Sequence, residues 1–78
     1  MEYTATFFSH FGALCFAEEL SREGVACRMM PVPRALSSSC GTSVRFEDPG
    51  DPARFGGEEL EAVYVRTPEG YRAVVDRR

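Results

Sequence analysis

The sequence has no lysine, no tryptophan and a single histidine, His10. Without lysine, Schiff-base chemistry is excluded outright. No Gly-rich phosphate loop, Ser/His/Asp set or H-E-x-x-H pair is present either. No two cysteines form a C-x-x-C pair. The three that occur, Cys15, Cys27 and Cys40, are widely spaced and odd in number. That pattern is neither a secreted disulfide framework nor the close ligand pairing of a zinc site. Neither a metal nor a cofactor is expected. The apolar runs are too short to span a bilayer. The opening residues lack the positive charge of a signal peptide, so the expectation is a reduced, cytoplasmic protein. Twelve acidic residues outnumber nine basic ones, all arginine, for a net charge of −3. A nucleic-acid partner is therefore not expected: phosphate binding needs positive charge, and the tyrosines lack a basic setting.

The chain has 78 residues, the length of one domain spanning 1–78. A domain this small buries only about 60% of its unfolded surface. That argues against a deep active-site cavity, and a homodimer would bury further apolar area.

Residues 3–8 alternate β-branched and aromatic side chains, with Tyr3, Ala5 and Phe7 on one face, as in a strand. Ser9 stands at an N-cap position. Residues 10–23 then place Ala13, Phe16, Ala17 and Leu20 on one helical stripe, and Gly24 ends the helix. A second strand runs from Val25 to Met30 and stops at Pro31 and Pro33, which cannot donate to a ladder. Residues 42–46 alternate as a third strand. Residues 47–57, with two Pro and three Gly, leave room for one helical turn at most, near 52–55. Residues 62–66, a turn at 67–70 and residues 71–75 read as a closing hairpin. The fold class implied is α+β: a small ferredoxin-like, split β-α-β domain. Its sheet is mainly antiparallel, with one long helix and the second helix short or absent. Ala13, Phe16, Leu20, Val25, Val44 and Val63 are expected in the core.

Residues 31–41 form the connection that stands out. Eleven residues join two strands that need only a short hairpin loop, and such surplus loops are often functional. The segment holds one thiol, Cys40, beside Ser37, Ser38, Ser39, Gly41 and one guanidinium, Arg34. The thiolate is the reactive form of cysteine and needs stabilisation by a cation or by inward-pointing donors. Arg34 can supply the charge. The three serines can supply hydroxyls and a nest of backbone N–H groups. Gly41 leaves space beside the sulfur. The competing reading makes 31–41 an ordinary polar turn and Cys40 a small packed residue.

The order Pro31-x-Pro33-Arg34-x-x-Ser37-Ser38-Ser39-Cys40-Gly41, following a strand, a serine-started helix and a second strand, resembles the DUF3343 family of Se/S carrier-like proteins. The resemblance covers about 1–46 and loosens over 47–78. There Asp48-Pro-Gly-Asp-Pro52 and Gly56-Gly57 stand where the family has a second amphipathic helix. The resemblance implies that Cys40 carries sulfur or selenium as a persulfide or selenenylsulfide. It would receive that cargo from a donor such as a cysteine desulfurase and pass it to an acceptor protein, as a carrier rather than a turnover enzyme.

Two other readings stay open from the residues alone. One is a non-catalytic interaction module that recruits a partner through a strand edge or an exposed Phe8/Phe11 patch. The other is a thiol redox sensor. Cys27 reads as a core-facing strand residue, Cys15 as half-buried on the helix, His10 as a capping or solvent-facing residue, and Glu58 to Glu61 as a solvated acidic face.

Overall fold

The computed structural model describes residues 2–47 and 57–78. Its elements are β1 (Glu2–Phe7), α1 (His10–Arg22), β2 (Cys27–Pro31), β3 (Thr42–Glu47), β4 (Leu60–Thr67) and β5 (Gly70–Asp76). The five strands form one sheet in the order β2-β3-β1-β4-β5, every neighbouring pair antiparallel. β1 and β2 therefore run in the same direction with β3 between them, joined through α1. This is the split β-α-β arrangement of a small ferredoxin-like domain, with the β4–β5 hairpin closing the far edge. Among the described residues α1 is the only helix, and the turn expected near 52–55 lies outside them.

Local chemistry sets the ends of α1. The Ser9 hydroxyl accepts the Gly12 N–H at 3.1 Å, satisfying one of the donors a helix start leaves free. At the other end Gly24 adopts φ +76°. The Gly24 N–H reaches the Ser21 carbonyl at 3.1 Å and the Val25 N–H reaches the Leu20 carbonyl at 2.9 Å. That pair of bonds is a Schellman ending, which a side chain at position 24 would strain. Val25 is drawn into this ending, so β2 begins only at Cys27 and Val25 is half-buried rather than buried as expected.

The core lies between α1 and one face of the sheet. Ala13, Phe16 and Leu20 from α1 meet Tyr3, Ala5 and Phe7 of β1, Val44 and Phe46 of β3, and Leu60, Val63 and Val65 of β4. Phe16 is its aromatic hub, with ring centroids 5.1 Å from Phe7 and 5.4 Å from Phe46. Phe46 in turn stacks on Tyr3 at 5.4 Å. These edge-on and offset contacts add to the area each ring buries. On the opposite face, Thr4, Thr6 and Ser43 are also buried, as the central position of β1 would favour.

A second glycine feature comes from packing rather than conformation. Gly12 sits inside α1, where glycine costs about 1 kcal/mol of helix propensity. A Cβ there would run into the side chain of Glu59. The bare helix surface lets the chain before β4 lie close by, where the Phe8 N–H donates to the Glu59 carbonyl at 2.8 Å.

Candidate functional site

The 31–41 loop is tied to three elements. The Val32 N–H bonds the Gly41 carbonyl at 3.2 Å and closes the loop at its base. The Leu36 N–H bonds the Pro33 carbonyl at 3.0 Å, forming a turn with Arg34 and Ala35 exposed at its tip. Ser38 donates its hydroxyl to the Phe7 carbonyl at 3.1 Å, which fastens the loop to the end of β1. Ser39 donates its hydroxyl to Glu61 at 2.9 Å and its N–H to the same carboxylate at 3.3 Å, which fastens the loop to β4.

Cys40 lies between these anchors. It is half-buried, and part of it packs against the core. Its Sγ has the Thr42 N–H and the Thr42 carbonyl each at 3.5 Å. A thiol can donate to that carbonyl and a thiolate can accept from that N–H, so one residue serves both protonation states. Gly41 makes this close return of the chain feasible through φ +76°. A Cβ on Gly41 would meet nothing within 4 Å beyond its chain neighbours, so the loop surface at Gly41 itself is open. Gly41→Ala should therefore cost about 1 kcal/mol through its backbone conformation alone, lowering the melting temperature by ~4–8 °C. The check is thermal denaturation together with the Cys40 alkylation rate, which should fall as Thr42 is drawn away from the sulfur.

The serine hydroxyls are deployed differently from a simple ring of donors to sulfur. A hydroxyl has one proton to give. Ser38 gives its proton to Phe7 while accepting the Cys40 N–H at 3.4 Å, and its Oγ also lies 3.9 Å from the Cys40 Sγ, where the thiol can donate to it. Ser39 gives its proton to Glu61. Ser37 is exposed and accepts from Arg78 at 3.4 Å. Arg34 has no hydrogen bond or ion pair among the described residues, and the guanidinium that reaches the loop belongs to Arg78. Arg78 also donates to the Tyr64 hydroxyl at 2.7 Å and to Asp76 at 3.3 Å. The Arg78 backbone N–H, and then its guanidinium, hold the Asp76 carboxyl below the usual aspartate range.

Four residues at the site are not among the site residues expected from the sequence. Thr42 acts through its backbone, which leaves no compositional trace. His10 faces Thr42, with Nδ1 3.2 Å from Oγ1, and links the start of α1 to the start of β3. Arg78 arrives from beyond β5. Glu61, read from its acidic neighbours as solvated, is 3% exposed. No local pattern marks Glu61: strand alternation between Leu60 and Ala62 turns it outward, and the register shift in β4 re-aims it.

Exposure does not distinguish the three thiols, since Cys15, Cys27 and Cys40 are all half-buried. Their surroundings do. The Cys27 Sγ lies 3.6 Å from the Ala17 carbonyl and 3.7 Å from the Ser21 hydroxyl, towards the end of α1. Cys27 pairs with Phe46 while Pro31 pairs with Thr42. Four strand steps of roughly 3.3 Å, about 13 Å in all, separate Cys27 from the level at which the Cys40 sulfur sits. Cys15 lines a separate cleft of about 120 Å³ between Phe11, Phe16 and Leu60. No group of three or more metal-ligating side chains is assembled among the described residues. No helix among them is long and apolar enough to cross a membrane.

A family model described as "Putative Se/S carrier protein-like" matches residues 2–56. The chain belongs to this Se/S carrier-like family. The match takes in β1, α1, β2, the Cys40 loop and β3, whereas β4 and β5 lie beyond it. No curated protein and no solved structure matches the chain.

Proposed function

We propose that the protein is a sulfur or selenium carrier that holds its cargo on Cys40 as a persulfide-type adduct. The observation that carries this reading is the bracketing of the Cys40 sulfur by Thr42, in an anchored loop with open space at Gly41. Membership of the Se/S carrier-like family supports it. The Cys40 thiolate attacks the outer sulfur of a persulfide on a donor protein of the cysteine desulfurase type. A new S–S bond forms to Cys40, the donor's S–S bond breaks, and the donor cysteine leaves as a thiolate. The transfer is neutral in electrons, so it needs no oxidant or reductant. The Thr42 N–H then faces the loaded residue, and a thiolate of an acceptor protein removes the outer sulfur by the same exchange. Arg34, exposed at the tip of the loop, is free to meet a partner's acidic group.

A specific observation also favours a protein-contact role. Phe8, Phe11 and Leu14 are 40%, 71% and 46% exposed around the start of α1. Within the carrier reading this patch is where donor or acceptor would settle. Within the interaction-module reading it is the whole function. The two are separated by incubating the protein with a cysteine desulfurase and cysteine and measuring intact mass, followed by peptide mapping. One added sulfur localised to Cys40 is the expected result. An unchanged mass, with all three thiols equally sluggish towards an alkylating agent at neutral pH, would favour the module.

A further inference from the structure

We propose that Glu61 is a positioning residue for Cys40, the buried carboxylate that holds the serine loop in its sulfur-presenting shape. This rests on the carrier reading for its functional meaning, although its geometry stands apart from it. Ser39 is the residue next to Cys40, and it directs both of its donors at Glu61: the hydroxyl to Oε2 at 2.9 Å and the N–H to Oε1 at 3.3 Å. At 3% exposure a carboxylate is costly to keep unless charge-assisted bonds replace its water. Here the partners that Glu61 finds belong to the loop, so the carboxylate and the loop depend on one another.

The strand is shaped for this contact. β4 pairs Ala62 with Thr6 and Leu60 with Phe7, with a register shift between them. Glu61 is therefore an extra residue with no partner across the ladder, which is a β-bulge. Bulges re-aim a side chain out of the regular alternation. This one also explains how a glutamate stands between two buried apolar residues. The Glu61 main chain is held as well, its carbonyl accepting the Arg77 N–H at 2.9 Å. Around the carboxylate stand Ser39 from the loop and Arg78, whose guanidinium spans Ser37 and Tyr64. The charge of Glu61 is one of the influences that raise the Arg78 pKa, after those of Asp76 and Tyr64. Glu61 lies beyond the segment that matches the family, which ends at residue 56. The shape of the cysteine loop thus depends on a residue that the matched segment does not contain.

Two measurements on the full chain test the role: hydrogen exchange at the Ser39 amide, and the alkylation rates of Cys40 and Cys15 at neutral pH. Losing one charge-assisted bond should speed Ser39 exchange about tenfold in Glu61→Ala, with the amides of β1 unchanged. Glu61→Gln keeps the volume and removes the charge that strengthens both Ser39 bonds, so it should lower the Cys40 alkylation rate at neutral pH while that of Cys15 stays in place. Ser39→Ala, at an exposed position, removes the hydroxyl bond without touching the core, and its effect on Cys40 should be non-additive with that of Glu61→Gln. A merely structural glutamate would lower thermal stability and leave both the Ser39 exchange rate and the ratio of Cys40 to Cys15 alkylation rates where they were, which overturns the proposal. Should Glu61→Ala fail to fold, Glu61→Gln and Ser39→Ala still decide it. Sulfur loading of the wild type is scored separately. A lowered Cys40 rate in a protein that takes no sulfur retires the carrier reading and keeps Glu61 as the loop's anchor. Normal loading with an unchanged Cys40 rate and no faster exchange does the reverse.

Discussion

Cys40→Ser is expected to abolish sulfur loading, while Cys15→Ser and Cys27→Ala load as the wild type does. The reasoning turns on what a persulfide must avoid. A second thiol in reach would attack the inner sulfur, expel the cargo as sulfide and close a disulfide. A carrier therefore keeps its other thiols away, whereas a redox sensor keeps one near. Two Cα atoms farther apart than about 7 Å are not bridged without backbone movement. Cys27 is four strand steps from the level of Cys40, and its sulfur lies against Ala17 and Ser21 of α1. Cys15 faces a different cleft. Intact mass after incubation with a desulfurase reads loading in each variant. Equal loading of wild type and Cys40→Ser would end the carrier reading. A reversible Cys27–Cys40 disulfide under mild oxidation would replace it with the sensor.

The largest loss of stability is expected from Phe16→Ala. Phe16 is 3% exposed and contacts the rings of both Phe7 and Phe46. Truncating a buried phenylalanine costs about 3–5 kcal/mol, from lost transfer energy and the cavity left behind. Domains of this kind are stable by only about 5–15 kcal/mol in total. At ~4–8 °C per kcal/mol, the melting temperature should fall by at least ~12 °C. Phe11→Ala is the matched control. Its ring is 71% exposed, so its stability should stay within about 0.5 kcal/mol of the wild type. Comparable losses in the two variants would mean that Phe11 is covered in solution, by a second copy or by other parts of the chain.

Some elements could be read directly because their cause is local. The Ser9 cap, the α1 stripe of Ala13, Phe16 and Leu20, and the Gly24 ending each depend on residues within a turn or two of one another. The closing hairpin was equally visible, since Thr67 to Gly70 carries turn chemistry between two β-rich runs. Where tertiary contacts compete, local reading shifted. Val25 was assigned to a strand by its side chain, but the helix ending claims its N–H. Glu61 was assigned to water by its neighbours, but a bulge turns it towards Ser39.

The sequence by itself determined the split β-α-β plan, the single helix among the described residues, and the loop that carries Cys40. Periodicity, capping and proline placement are short-range, and the order of Pro31, Pro33, Arg34, Ser37, Ser38, Ser39, Cys40 and Gly41 is written in the chain. Only the tertiary structure decided what those loop residues touch. Ser38 bonds the Phe7 carbonyl as well as lying 3.9 Å from the Cys40 sulfur, Ser39 bonds Glu61, and Arg78 rather than Arg34 is the guanidinium that bonds a loop side chain. The physical reason is that a hydroxyl or guanidinium bonds whatever acceptor folding brings within about 3 Å. Phe7 lies 31 positions from Ser38, and Glu61 lies 22 from Ser39. No local pattern links residues so far apart in the chain; the register of the sheet does.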